Sequence, residues 1–184
     1  MRGIFRMMLV CALILFAATG IFAQDAITLV PFSDPLLEVE GVIPEGWTAA
    51  GNGIYMRGES PADLTLMAIQ AAAASLEQVI PALLPQLALT ELPEAVEQVE
   101  ANGMQWDVYQ VDVPAGGIVI RVDLALANQD GRSYIVLMQT NEEEYDALHE
   151  AVFLPVLQSV TPLVEEAAEV AYEVEEVTFP GGAE

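Results

Sequence analysis

The chain has 184 residues, of which 54% are hydrophobic, and it carries 28 acidic residues against five arginines and no lysine. Its formal net charge of −23 leaves few cations to contact phosphate groups, which argues against nucleic acid and anionic lipid surfaces as partners. Cys11 is the only cysteine, so no disulfide within the chain is expected. The length fits one domain with short extensions.

Residues 1–23 have the pattern of a signal peptide. Arg2 and Arg6 give a positive start, residues 7–18 are apolar, and Ala23 offers a small residue at the cleavage position. An uncleaved anchor is the alternative; a lipid anchor on Cys11 fits less well, because the preceding residue is not small. Cleavage would leave three arginines against 28 acidic residues, a net charge of −25, and no stable membrane insertion is then expected.

The first part of the exported chain is predicted to form strands. Residues 24–35 are a lead-in, residues 36–43 a first strand, and residues 54–57 the second strand of a hairpin around Gly51-Asn52-Gly53. Residues 64–70 follow as a strand covered on both faces. Ser75 and Gln78 then have the spacing of a capping box, so a helix begins there, and Pro81 and Pro85 predict that it is kinked or divided.

The centre of the sheet is predicted from two turns and one alternating run. Asn102-Gly103 joins residues 95–101 to residues 104–113, since both residues tolerate the positive φ of a type I′ turn. Alternation predicts one apolar face on the next strand, formed by Ile118, Ile120, Val122, Leu124 and Leu126. The turn Asn128-Gln129-Asp130-Gly131 leads to a returning strand at residues 134–138.

A closing helix is predicted from Asn141 onwards. Asn141 is a good cap, and three glutamates, residues 142–144, favour the positive end of the helix dipole. One apolar stripe recurs at helical spacing, formed by Tyr145, Leu148, His149, Val152, Phe153 and Val156. Pro155 should distort the last turn. Residues 164–184, with seven glutamates, are predicted to be an acidic tail, either a frayed helix or disordered.

These elements predict an α+β fold, with helices packed on an antiparallel sheet of about six to seven strands. Their order over residues 36–163 resembles the Mog1/PsbP-like α/β/α sandwich. The resemblance rests on a final helix ending near Ser159 and on four short motifs, Pro44-Glu45-Gly46-Trp47, Ser75-Leu76-Glu77, Asn102-Gly103-Met104-Gln105-Trp106 and Gly131-Arg132-Ser133-Tyr134. It implies an accessory role, because members are mostly non-enzymatic: photosystem subunits, a Ran-binding factor and exported bacterial proteins. It maps no functional residue onto the chain.

The residues themselves predict no catalytic, cofactor or metal site. His149 is the only histidine and is expected at the edge of the core with its ring hydrogen-bonded, which makes a Ser–His arrangement improbable. Arg121 lies two residues from Asp123 on one strand face, so a surface ion pair is expected there. Asn128 and Asp130 resemble part of a calcium loop, but a hairpin turn explains them better.

A binding role is the main functional hypothesis. Trp47 and Trp106 are candidates for a partner or ligand surface, with core packing as the default, and Tyr172 and Phe179 give the tail a means of docking. The partner would be a protein or a small apolar ligand. The sequence thus favours an exported, non-enzymatic binding or accessory module. The alternatives are a carboxylate-based enzyme or enzyme-associated domain, and an acidic cation-binding or salt-adapted protein.

Overall fold

The computed structural model describes residues 27–58, 60 and 62–163. The predicted signal peptide (residues 1–23) and acidic tail (residues 164–184), with Tyr172 and Phe179, lie outside the described residues. Within the described ranges, no helix has the length and apolar character needed to cross a membrane. The fold is α+β. Helices pack on both faces of a seven-stranded antiparallel sheet, and three further strands form a second, smaller sheet.

The strands of the described residues form two antiparallel sheets. The larger has the order β3-β4-β5-β9-β8-β7-β6 and the smaller the order β1-β2-β10. The bounds are β1 Leu29–Asp34, β2 Val39–Pro44, β3 Thr48–Gly51, β4 Ile54–Met56, β5 Leu66–Ala72, β6 Glu97–Ala101, β7 Met104–Ala115, β8 Ile118–Gln129, β9 Arg132–Asn141 and β10 Thr161–Pro162. The predicted α+β class and strand number of the main sheet are confirmed.

The smaller sheet differs from the sequence prediction. A strand was expected at residues 36–43, but Leu36 lies in the turn between β1 and β2 and is 95% exposed. The predicted lead-in, residues 24–35, contains strand β1. Strand β2 pairs with β1 on one side and with β10 on the other. Because β10 follows the closing helix, more than 115 residues after β2, local sequence patterns do not reveal this sheet.

The predicted turns of the main sheet are confirmed at Asn102-Gly103 and at Asp130-Gly131, whereas Asn128 and Gln129, predicted in the second turn, are the last residues of β8. Asn102 and Gly103 have φ of 51° and 75°, and Asp130 and Gly131 have φ of 53° and 78°, the left-handed values that two-residue hairpins require. At Gly53, both the backbone torsion and the space around the residue require glycine. Its φ is 71°, and a Cβ atom there would lie 1.9 Å from the carbonyl oxygen of Ile69.

The helices lie on opposite faces of the main sheet. Helix α1 (Leu76–Leu83) runs into a 3₁₀ turn (Leu84–Leu87), which confirms the predicted division. The Gln78 side chain accepts the Ser75 N–H at 3.2 Å, as the capping box predicts. These two elements cover a smaller core on one face, centred on four residues of β8: Ile120, Val122, Leu124 and Leu126.

The closing helix (residues 145–159) consists of α2 (Tyr145–Leu148), a π-helical turn (His149–Phe153) and α3 (Leu154–Ser159). It covers the larger core, and its predicted apolar stripe faces the sheet. Its N-cap is Glu144, three residues after the predicted cap, Asn141. Asn141 is instead the last residue of β9, and its side chain accepts the Glu144 N–H at 2.9 Å in the intervening turn. The distortion that Pro155 predicts is the π-helical turn, which precedes the proline. Pro155 has no N–H to donate to the turn before it, so the regular helical hydrogen bonds are interrupted there.

Candidate functional site

Polar side chains gather at one end of the main sheet, where β9 ends and the closing helix begins. Strand β8 and the loop after β4 reach the same end. We call this the polar end of the fold; its members are Arg57, Asp63, Arg121, Asp123, Glu142, Glu144, Tyr145 and His149. Two of the three arginines of the described residues lie here, and each contacts a glutamate of the turn before the closing helix.

Asp123 is the buried centre of the polar end. Its carboxylate is fully buried; Oδ1 accepts the Tyr145 hydroxyl at 2.5 Å, and Oδ2 lies 2.8 Å from Nδ1 of His149. The predicted surface pair between Arg121 and Asp123 is therefore wrong. The Arg121 guanidinium instead lies 3.0 Å from Asp112 and 3.5 Å from Glu142, because the closing helix covers Asp123 and supplies its partners.

His149 is held between aromatic rings. Its ring centroid lies 5.7 Å from that of Tyr145 and 5.4 Å from that of Phe153, and 18% of its side chain is exposed. This is the hydrogen-bonded residue at the edge of the core that the sequence predicted. Burial, and then the hydrogen bond to Asp123, raises the pKa of Tyr145 far above its usual range, so its hydroxyl remains a donor.

Two serines direct their hydroxyl groups to backbone carbonyls rather than to His149. Ser133 donates its hydroxyl to the carbonyl of Ala74, and Ser159 donates its own to the carbonyl of Val156. Among the described residues, no serine hydroxyl is hydrogen-bonded to His149. The Asp–His–Tyr group thus joins β8 to the closing helix through two side-chain contacts.

A second set of contacts fixes the loop after β4. The Arg57 guanidinium donates to both oxygens of Asp63, at 2.8 and 3.0 Å, and to both oxygens of Glu144, at 2.8 and 2.9 Å. We call these three residues the Arg57 clamp. Their hydrogen bonds lower the pKa of Asp63 to about 2, lower the pKa of Glu144, and raise that of Arg57. The clamp therefore ties the loop to the start of the closing helix.

A cleft of about 330 Å³ opens beside the clamp. It is lined by Arg57, Ser60, Ala62, Asp63, Leu64, Ile118 and Asn141. Three aliphatic side chains at or next to its rim are unusually exposed: Ile118 at 53%, Val119 at 44% and Leu64 at 37%. We call Ile118 and Val119 the hairpin tip, since they begin β8 at the β7–β8 turn, and Leu64, in the loop before β5, lines the same cleft as Ile118. No sequence pattern singled them out, because alternation marked Ile118 as a core residue.

The sequence candidates for a binding surface lie elsewhere. Trp106 is fully buried in the larger core, so it does not contribute to a surface, and its indole nitrogen has no hydrogen-bond partner among the described residues. Trp47 is half-buried against the same core. Neither residue lines the cleft. The other two candidates, Tyr172 and Phe179, remain predictions, because they lie outside the described residues.

Metal ligands are not gathered in the part of the chain that the structure describes. No three histidine, cysteine, aspartate or glutamate side chains in it form a group that could hold an ion. Asn128 and Asp130 resemble part of a calcium loop, but Asn128 pairs with Ser133 in the β8–β9 ladder, and Asp130 has the positive φ that the two-residue turn requires.

Comparison with known proteins supports the fold. No family model matches the sequence, and no curated protein is similar to it in sequence. The solution structure of cyanobacterial PsbP (CyanoP) from Synechocystis sp. PCC 6803 superposes with a TM-score of 0.53 at 16% identity, covering 77% of this chain and 95% of that protein. The chain therefore has a PsbP/Mog1-like fold, as the sequence motifs implied.

Two further solved structures are more distant. PA94 from Pseudomonas aeruginosa, described as a putative regulator, has a TM-score of 0.45 at 14% identity, with 73% of this chain and 96% of that one covered. LpqN of Mycobacterium tuberculosis, described as involved in cell envelope biogenesis, has a TM-score of 0.44 at 14% identity, with 74% and 92% covered. At these scores the two likenesses carry no argument about function.

Proposed function

We propose that this protein is an exported, non-enzymatic accessory module that binds a protein partner through the hairpin tip. The N-terminal pattern of arginines, apolar run and small residue supports export. The charged groups of the polar end satisfy one another within the fold, which supports a structural use for them rather than a catalytic one.

The exposure of the hairpin tip carries the proposal. Strand β6 pairs with β7 only as far as Glu97 opposite Val108, and β9 pairs with β8 only as far as Asn141 opposite Ile120. The last residues of β7 and the first of β8 therefore project as a two-stranded ribbon. Exposed aliphatic residues clustered on a projecting ribbon, beside a cleft, are typical of an interaction site.

The surroundings of the tip indicate the chemistry of the partner. Asp112, Glu142 and Glu143 lie at this end, and the first two already share Arg121. The exported chain is strongly acidic throughout. We therefore expect a protein surface in which an aliphatic patch is bordered by basic side chains, so that association is faster and tighter at low salt.

Site-specific crosslinking tests this function. A photoreactive amino acid is placed at Ile118 in the exported protein, and the matched control carries it at Leu36, an equally aliphatic but more exposed position in the β1–β2 turn. We expect one dominant protein adduct at position 118 in native envelope or medium, weakened by added salt, and none at position 36. Absence of an adduct at position 118, or the same adducts at both positions, would refute docking at the tip.

A further inference from the structure

The edge strands of the two sheets are protected unequally. Strand β1 contains Pro31, which pairs with Val42, and β10 ends in Pro162, while β3 has four residues and a register irregularity between Ala49 and Gly51. Prolines and bulges prevent an edge from accepting another strand. Strand β6 has neither; among the described residues it is the regular, proline-free edge.

The outer side of β6 offers backbone groups for pairing. The two-residue turn at Asn102-Gly103 makes Ala101 opposite Met104 a hydrogen-bonded pair, so Val99 and Ala101 direct their N–H and C=O groups to β7. Gln98 and Glu100 direct theirs away from it. Within the described residues no hydrogen bond reaches the outward backbone groups of these two residues, and both residues are exposed.

The edge is held in place before any partner arrives. The side-chain amide of Asn102 donates to the carbonyls of Gln158 and Val160, at 2.8 and 3.1 Å, which fixes the β6–β7 turn to the end of the closing helix. Across the pair, Gln98 donates to Asp107 at 2.7 Å. A preformed edge lowers the conformational entropy lost when a further strand pairs with it.

Charge selects what can pair with this edge. Glu94, Glu97, Glu100 and Asp107 lie on or beside β6, and the sequence has no basic residue between Arg57 and Arg121. A second copy of this acidic chain, or its own acidic residues 164–184, would place like charges across the new pairs. Basic side chains would instead face these carboxylates, and exposed Val96, with half-buried Val99, offers aliphatic contacts.

We propose that β6 accepts a basic, extended segment of a partner protein as an additional strand of the main sheet. Side chains of β6 alternate between the two faces of the sheet, so Glu100 lies on one face and Glu97 lies with Val99 on the other. The segment alternates basic side chains with small aliphatic ones, so that its basic side meets Glu100 and its aliphatic side meets Val99. This surface lies at the opposite end of β7 from the hairpin tip and does not depend on the function proposed above.

The probe is a labelled peptide, Lys-Val-Lys-Thr-Lys-Val-Lys, added to the exported protein at low salt. Fluorescence anisotropy measures its binding, and amide hydrogen exchange followed by NMR locates it. We expect saturable binding together with new protection of the Gln98 and Glu100 amides, which face outward. Protection of these amides before the peptide is added would show an edge that is already covered, and it would overturn the proposal.

Two protein variants and one modified peptide separate strand addition from attraction by charge alone. Loss of both β6 carboxylates in Glu97→Gln/Glu100→Gln should weaken binding about two- to fivefold, because the cross-strand charge pair at Glu100 contributes a fraction of a kcal/mol to about 1 kcal/mol. The control Glu77→Gln/Glu91→Gln removes the same charge elsewhere and should change binding less than about twofold. Equal weakening by both would refute the proposal.

Backbone hydrogen bonding between β6 and the peptide is tested by changing the protein and by changing the peptide. Gln98→Pro removes an outward N–H without breaking the pairing with β7, so it should abolish binding while leaving the thermal unfolding midpoint nearly unchanged. A peptide of the same charge, N-methylated at alternate residues, should fail to bind the unaltered protein. If that methylated peptide binds as well as its parent, recognition does not use the backbone and the proposal is wrong, whatever the stability of the proline variant.

Discussion

Replacing Arg57 with glutamine breaks the Arg57 clamp. The variant loses four charge-assisted hydrogen bonds and leaves Asp63 and Glu144 facing each other without a cation. The side chains are partly in water, with 29%, 22% and 42% of Arg57, Asp63 and Glu144 exposed, so each pair contributes less than a buried one. We expect the free energy of unfolding to fall by about 1 to 2 kcal/mol, or about 3 to 8 °C in Tm.

The loss should depend on pH in a defined direction. Arg57 holds the pKa of Asp63 at about 2 and lowers the pKa of Glu144, and both groups return to about 4 in the unfolded chain. Carboxyls that are more acidic when folded stabilise the protein above their unfolded pKa. Their contribution is lost as pH falls through the folded value. The difference between the parent and Arg57→Gln should therefore be constant from about pH 7 to 5 and largely gone near pH 2.

Urea unfolding at pH 7, 5, 3 and 2 measures this difference. Arg132→Gln is the matched control, since Arg132 has a similar exposure but pairs with a single carboxylate, Glu38. It should cost less than about 1 kcal/mol. An Arg57→Gln variant as stable as the parent at pH 7 would refute the argument. So would a stability difference that persists unchanged at pH 2.

The remaining predictions concern buried groups. Tyr145→Phe removes a donor from fully buried Asp123 and should cost about 1 to 3 kcal/mol in urea unfolding; a change within experimental error would contradict the hydrogen bond. In spectrophotometric titration, the phenol of Tyr145 should stay protonated beyond the pH at which exposed tyrosines ionise, and its absorbance step should appear only with unfolding. Trp106→Phe should cost about 1 to 2 kcal/mol, below the 3 to 5 kcal/mol of an alanine, because its indole nitrogen has no hydrogen-bond partner among the described residues. Gly53→Ala should destabilise more than Gly46→Ala in thermal unfolding, since both have positive φ but only Gly53 would contact a backbone oxygen; equal effects would contradict that contact.

The site was less predictable than the fold, for reasons visible in particular residues. His149 was expected at the edge of the core, and it lies there, but its partner Asp123 is 26 residues away and was assigned to the surface. The alternation that placed Asp123 beside Arg121 on one strand face is correct. What alternation leaves open is which part of that face the closing helix covers, and this decides which carboxylate is buried.

Ile118 in the hairpin tip is the opposite case, a residue predicted to be buried that is exposed. Ile118 belongs to the apolar alternation of β8, which continues to Leu126, and the sequence therefore assigned it to the core. Strand β9 ends before it reaches Ile118, which is paired only with Ala115 of β7. Burial of a strand residue depends on the length of its neighbours, and those lengths are set by elements elsewhere in the chain.

The sequence by itself determined the elements whose cause is local. The turns at Asn102-Gly103 and Asp130-Gly131 follow from backbone torsion, the start of α1 from its capping box, and the closing helix from its apolar stripe. Tertiary structure decided the pairing of β2 with β10, the burial of Asp123 and the meeting of Arg57 with Glu144, 87 residues away. Ion pairs and burial depend on which surfaces exclude water, and only the assembled layers fix those surfaces.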